Sequence, residues 1–278
     1  LAPIQLAGFG HAASTYCDTM DYYFTREGYV GDPSLLSEQV VLLPDAGLRF
    51  ERSPYYTPLQ PDIRESAQPL RIALPSNLLK LNPHFISVLR RIREKAGRPL
   101  EFRVFPNVSG LELIATRRVF DQQLPGSVVY PVMAYNAYLA ELNACDLNLS
   151  PFPFGALHSV VDSLRQGIPV VAMDGLDLHE RPDPMLLRQV GMPEWLIVQN
   201  EDDYIATALR LIDNDAERVA LSRQALALDL DRTLFGDATT PIGHDVEDAM
   251  WWVYQNHEAI KTSGRKVFRP TDRKSSSP

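Results

Sequence analysis

SPFPFGALHSVVDSLRQGIPVVAM, residues 150–173, decides how the rest of the chain is read. Apolar residues run into Ser150, PFPFG turns the chain, a short helix follows to Gly167, and IPVVAM forms a second apolar strand. Strands joined through a helix run parallel with a right-handed crossover, so the stretch is a βαβ unit.

The same unit repeats outward in both directions. LRIAL (70–74), LEFRVF (100–105), SVVYPV (127–132), DLNL (146–149), IPVVA (168–172) and LIV (196–198) are β-rich runs that alternate with helical segments. This spacing implies the α/β class, with a doubly wound, Rossmann-like parallel sheet. In NPHFISVLRRIREKAG (82–97), Asn82 can cap a helix and Pro83 suits its first turn. Phe85, Leu89, Ile92 and Ala96 repeat at helical spacing, and Gly97 ends it. The run Arg90-Arg91-Ile92-Arg93 then reads as the solvated face of that helix.

Prolines at 44, 54, 58, 61 and 69 remove backbone donors and exclude regular helix, so residues 44–69 read as a linker. Residues 1–43 are too few to fold alone and are expected to pack on something else. Residues 70–260 form the main domain with a helical C-terminal segment, whose last helix offers Trp251, Trp252 and Tyr254 as docking surface. Residues 261–278 are expected to be disordered.

The 278 residues, 22 per cent of them charged, suffice for a sizeable core. A net charge of −8 argues against a general nucleic-acid or membrane binder. Cys17 and Cys145 are too few for a disulfide framework or a zinc site, which fits a reducing compartment. No apolar run approaches the roughly 20 residues that span a bilayer, and the start has no secretory pattern, so a cytoplasmic location is expected. The chain begins without Met in element-forming sequence and is expected to be a piece of a longer protein.

Open α/β sheets bind ligands at the carboxyl ends of their strands, where helix N-termini offer free N–H groups to phosphate. Here Gly155 allows close backbone approach, His158 and Ser159 add donors, and Asp162, one turn into the helix, can accept from a ribose hydroxyl. The same residues also read as an N-cap, Ser159, with a carboxylate, Asp162, paired to the helix dipole. Lys80 follows the first strand of the domain and can pair with a diphosphate, unless it is simply solvated. No GxGxxG or GxxxxGK[ST] loop points to a dinucleotide or an NTPase. His179-Glu180 follows the next strand, but adjacent residues share no helix face, so no metal site is expected there. His11, in GFGHAAST, suits a loop pressed against a ligand or a satisfied structural histidine.

Taken together, LAPIQLAGFGHAAST, DYYFTREGYVG, PSNLLKLNPHF, YLAELNACDLNLSPFPFG, VVDSLRQGIPVV and LHERPDPMLLRQVGMPEWLI resemble the cytoplasmic N-glycosyltransferases of bacteria. Those enzymes share a family with the O-linked N-acetylglucosamine transferases. The resemblance implies the C-terminal half of a two-domain GT-B glycosyltransferase, inverting and metal-independent. Such an enzyme moves a hexose from UDP-glucose or UDP-N-acetylglucosamine to an acceptor polypeptide and needs no cofactor beyond its donor. Residues 1–43 would then be the C-terminal end of the first GT-B domain. Lys80 matches the lysine on the diphosphate, Asn77 a polar residue of the same loop, Tyr138 a ring near the uracil, and Asp162 the carboxylate on the ribose. His11 is the one candidate for activating or orienting the acceptor. Two departures stand out: Ala156, Leu157 and His158 replace a polar, asparagine-containing loop, and GHAAST replaces GHPATT. The alternative reading is a catalytically inactive UDP-sugar-binding or partner subunit.

Overall fold

The structure, a computed structural model, describes residues 2–8, 10, 12–44, 48–235 and 244–270. Three strands open the chain: β1 (Leu6–Gly8), β2 (Tyr22–Arg26) and β3 (Gln39–Leu43). Six more follow: β4 (Leu70–Leu74), β5 (Leu100–Val104), β6 (Val128–Val129), β7 (Leu147–Leu149), β8 (Val170–Met173) and β9 (Ile197–Val198). A last short strand, β10 (Val267–Phe268), lies near the C-terminus. They make two all-parallel sheets, one ordered β1-β2-β3-β10 and the other β6-β5-β4-β7-β8-β9. Numbered within itself, the larger sheet has the order 3-2-1-4-5-6 of a doubly wound dinucleotide-type fold.

Helices α1 (Pro83–Lys95), α2 (Gly110–Gln123), α3 (Tyr135–Asn143), α4 (His158–Arg165), α5 (Pro182–Val190), α6 (Glu201–Asp213) and α7 (Asp215–Leu226) accompany the larger sheet. As the spacing predicts, Asn82 caps α1 by accepting from Phe85 N at 2.9 Å. Its face of Phe85, Leu89 and Ile92 is fully buried. Residues of β4 alternate between two cores, with Leu70, Ile72 and Leu74 in one and Ala73 in the other beside Phe105, Leu139 and Leu142. A strand buried on both faces in this way is the mark of a parallel sheet covered by helices on both sides.

The C-terminal helix α8 (His244–Thr262) belongs with the smaller sheet. Its Ala249, Val253 and Ile260 pack on Tyr22, Phe24, Val41 and Leu43, and His257 Nδ1 lies 2.8 Å from the Tyr22 hydroxyl. Trp252 packs toward Phe268, whereas Trp251 and Tyr254 remain exposed. Disorder expected from residue 261 is corrected over residues 261–270, the first two of which close α8. Val40 N donates to Lys266 O at 2.8 Å, β10 pairs with β3, and Phe268 is buried, so two apolar residues in a polar tail suffice to complete the sheet. Residues 271–278 lie outside the described ones.

The two sheets meet through a few close contacts. Leu178 packs into the smaller sheet's second core with Tyr23, Val40 and Leu42. Asp32 N donates to Leu176 O at 3.0 Å, and Arg181 Nε donates to Gly28 O at 3.1 Å. Gly31 makes this approach possible, because an added Cβ would collide with the Leu176 backbone. The proline-rich segment clamps onto the larger domain: Leu48 exchanges two hydrogen bonds with the Gln189 amide (2.6 and 2.9 Å), and Arg64 pairs with Asp146.

Candidate functional site

The chain winds outward from β4 through β5 to β6, then crosses back to lay β7 beside β4. Loops leaving β4 and β7 therefore diverge and open a crevice at the carboxyl edge of the sheet. A cavity of about 500 Å³ occupies it. After β4 come Ser76, Asn77 and Lys80; after β5, Phe105 and Asn107; from α3, Tyr135 and Tyr138; and at the start of α4, Ala156, His158 and Ser159.

Asn77 turns the chain by accepting from Leu79 N at 3.1 Å, which starts a one-turn 3-10 helix, Leu78–Lys80. That turn delivers Lys80, whose Nζ donates to Gly155 O at 2.5 Å and lies 4.2 Å from the centre of the Phe154 ring. Burial lowers the Lys80 pKa, with the charge of Asp183 opposing it. Ser76 is buried, and its hydroxyl has no hydrogen-bond partner among the described residues.

The turn from β7 into α4 is held from below. Asp183, in the first turn of α5 and buried, accepts from Ala156 N at 2.7 Å, from Leu157 N at 2.6 Å and from the Ser150 hydroxyl. Leu157 sits at φ +48°, ψ −86°, a conformation that L-residues rarely adopt and that neighbouring contacts must enforce. Burial raises the Asp183 pKa against the three donors and Lys80, which lower it.

Tyr138 presents its ring to the cavity while its hydroxyl is buried, and burial, with Asp162 nearby, pushes its pKa well up. Asp162 lies behind this wall, outside the cavity lining, and accepts from the Tyr135 hydroxyl at 2.6 Å. Burial pushes its carboxyl up to about 6, opposed by the Tyr135 hydrogen bond and Arg165.

A second hollow, of about 560 Å³, lies between the two sheets and is lined by Tyr23, Thr25, Phe50, Phe154 and Leu178 among others. Lys80, Ala156 and His158 line both spaces and so form the partition between them. The His158 ring meets Phe50 edge to face at 5.4 Å, and burial followed by the Lys80 charge lowers its pKa.

Of the residues singled out from sequence, Asn77, Lys80, Tyr138, His158 and Ser159 thus share one cavity. Gly155 backs it through Lys80, Asp162 stands one side chain behind, and His11 lies outside the described residues. His179 sits away at the cleft rim, 6.0 Å from the Phe154 ring, while Glu180 closes its own turn on Asp177 N at 3.0 Å. Sequence reading missed Ser76, Tyr135 and Asp183. Only Asp183 left a trace, in RPDP, where an acid after a proline reads as an ordinary helix start.

No protein-family model matches this chain. Two curated UDP-glucose:protein N-β-glucosyltransferases, from serotypes 7 and 5b of Actinobacillus pleuropneumoniae, are each 33% identical over 247 residues, covering 87% of the chain. The chain spans about two fifths, 40%, of their length. A probable UDP-N-acetylglucosamine peptide N-acetylglucosaminyltransferase, SPINDLY, of Eustoma exaltatum subsp. russellianum is 26% identical over 241 residues, covering 82% of this chain and 25% of its own. Among solved structures, an O-GlcNAc transferase mutant of Thermobaculum terrenum superposes with a TM-score of 0.70 at 22% identity, over 95% of this chain and 50% of that one. By sequence the chain is a relative of the protein N-glucosyltransferases, which share a family with the O-linked N-acetylglucosamine transferases, and its two sheets have the GT-B glycosyltransferase fold.

Proposed function

We propose that this chain is the donor-binding part of a cytoplasmic glycosyltransferase. It moves a hexose, glucose or N-acetylglucosamine, from a UDP-sugar to a protein side chain, with inversion and without a metal. The observation that carries this reading is the cavity at the β4–β7 switch point, with Lys80 and the start of α4 on one wall and Tyr138 on another. The names of the relatives supply the class of donor and acceptor.

In an inverting transfer the acceptor attacks the anomeric carbon from the face opposite the diphosphate. The bond to the β-phosphate oxygen breaks, UDP leaves with the electron pair, and the attacking nitrogen or oxygen gives up its proton to solvent. Negative charge grows on that oxygen, so fixed donors placed there lower the barrier. Lys80 supplies a positive charge and α4 the positive end of its dipole, the role a divalent cation would otherwise fill. The Tyr138 ring is placed to stack against a uracil, with Asn77 and Ser159 as polar contacts on either side. Asp162 serves the ribose through Tyr135, whose hydroxyl it holds. The acceptor enters by the hollow between the sheets, on the far side of the Lys80–His158 partition. His11 is retained as the residue that orients it.

Calorimetric titration of the chain with UDP tests the reading. Wild type is expected to bind. Lys80→Ala is expected to bind roughly tenfold to a hundredfold more weakly, since a charged hydrogen bond contributes about 1.5–3 kcal/mol. A folded wild-type chain that ignores UDP overturns the reading. Release of UDP from UDP-glucose or UDP-N-acetylglucosamine in the presence of an acceptor polypeptide separates the enzyme from a silent binding subunit.

A further inference from the structure

We propose that Asp183 is a positioning residue for the diphosphate. It never touches the ligand, and it holds the turn at residues 155–157 in the one conformation that aims the α4 N-terminus and Lys80 into the cavity. This inference rests on the nucleotide reading above.

The geometry is one-sided. The Asp183 carboxylate is buried and receives three donors, the Ala156 and Leu157 N–H groups and the Ser150 hydroxyl, which belong to the two ends of a single loop. Nothing else among the described residues bridges Ser150 to the start of α4. The loop wraps the carboxylate so closely that a Cβ at Gly155 would collide with it. Two residues on, Leu157 holds a positive φ, which a free loop would leave. The carbonyl of Gly155, fixed by this arrangement, in turn receives the Lys80 ammonium at 2.5 Å. The chain of cause runs from Asp183 to the turn, from the turn to the Gly155 carbonyl, and from there to Lys80 and the positive end of α4.

A buried carboxylate beneath a diphosphate site also works against its ligand by charge alone. That gives the proposal a sign. If Asp183 acted mainly through its charge, Asp183→Asn would remove a repulsion and tighten UDP binding. If it acts through geometry, the variant weakens UDP binding, because an Asn NH2 group must face one of three donors that need an acceptor.

The experiment titrates UDP by calorimetry and uridine by protein NMR against wild type, Asp183→Asn and Gly155→Ala. Uridine lacks the phosphates and reports the Tyr138 side of the cavity only. Asp183→Asn is expected to lose about tenfold or more in UDP affinity while uridine stays within about twofold. Gly155→Ala keeps the charge and shifts the turn, and the same selective loss is expected. Unchanged or tighter UDP binding by a folded Asp183→Asn overturns the proposal. Equal loss of UDP and uridine in a folded variant also overturns it, because that marks general damage. Should Asp183→Asn fail to fold, Gly155→Ala decides: selective loss supports the proposal and wild-type UDP affinity refutes it. Absence of UDP binding by wild type removes the nucleotide reading and this inference together, an outcome distinct from a normal wild type beside a normal variant.

Discussion

Two buried carboxylates stand at opposite ends of the short strand β7, and their company differs. Asp146, just before the strand, is met by two guanidinium groups, Arg64 in direct contact and Arg218 at 3.8 Å, and by Arg71 N at 2.6 Å. Asp183 grips Ser150, just after the strand, and is met by a hydroxyl and two backbone N–H groups, with Lys80 turned to a carbonyl instead. At the amino end, charge is matched by charge and the proline-rich segment is sealed onto the domain. At the carboxyl end the negative charge is held by neutral dipoles, so the lysine charge and the positive end of the α4 dipole still face the cavity. The difference separates a group that holds the fold from one that shapes a site.

The sharpest way to break that contrast is at Asp146. Its removal takes the shared acceptor from the Arg64 guanidinium and from Arg71 N, while Arg218 keeps Asp215 at 2.7 Å, and breaking a buried pair in this way costs about 3–5 kcal/mol. Asp146→Ala is expected to lose that much in urea unfolding while the surviving folded molecules bind UDP as wild type does. Weaker UDP binding per folded molecule would erase the distinction between the two ends.

A somewhat smaller effect is expected from Asp162, and it depends on pH. Its carboxyl titrates near 6 in the folded chain, above its ordinary value of 3.8. Between these values the folded state holds a proton that the unfolded state has released, so stability falls as pH rises through the window. By pH 7 the loss reaches about 3 kcal/mol, at about 1.4 kcal/mol per pKa unit. Asp162→Asn escapes it while still accepting from Tyr135. Its stability relative to wild type should therefore climb between pH 4 and pH 6.5 in thermal or urea unfolding. A flat difference across that range would place Asp162 among the matched charges, with Asp146.

What the sequence made legible follows the same division. The six strands of the larger sheet and α1 were readable because local spacing alone buries Phe85, Leu89 and Ile92 and because β4 must bury both of its faces, whereas the three strands of residues 1–43 were not. Lys80 and Ser159 were readable as candidate site residues because they follow strands, and strand ends converge whatever the order of the sheet, whereas Asn77 came only from the family resemblance. Asp183 was not, since its partners lie 26 to 33 residues away and no local pattern marks a carboxylate that reaches back under an earlier loop. Nor was the return of the chain to the first sheet. KVF inside a polar tail has no periodicity, and only pairing with β3 and the face of α8 makes it a strand. Nothing local marks His257 either, because its partner Tyr22 is 235 residues away.

The finest test lies one step beyond Asp183. Tyr204, on α6 and fully buried, donates its hydroxyl to Ser150 O at 2.8 Å, and its ring packs against Phe85 and Phe152. Tyr204→Phe keeps the ring and removes one neutral hydrogen bond, so stability should fall by about 1 kcal/mol. Ser150 itself stays in register, because its N–H still donates to Val171 O at 3.0 Å and its hydroxyl still meets Asp183. UDP affinity is therefore expected to hold. If it falls with stability, the carboxyl end of β7 is one continuous network in which any lost bond loosens the turn, and Asp183 is only its most visible member. If it holds, the turn answers to Asp183 alone, and the polar groups around Ser150 divide into those that keep the strand in place and the one that aims the site.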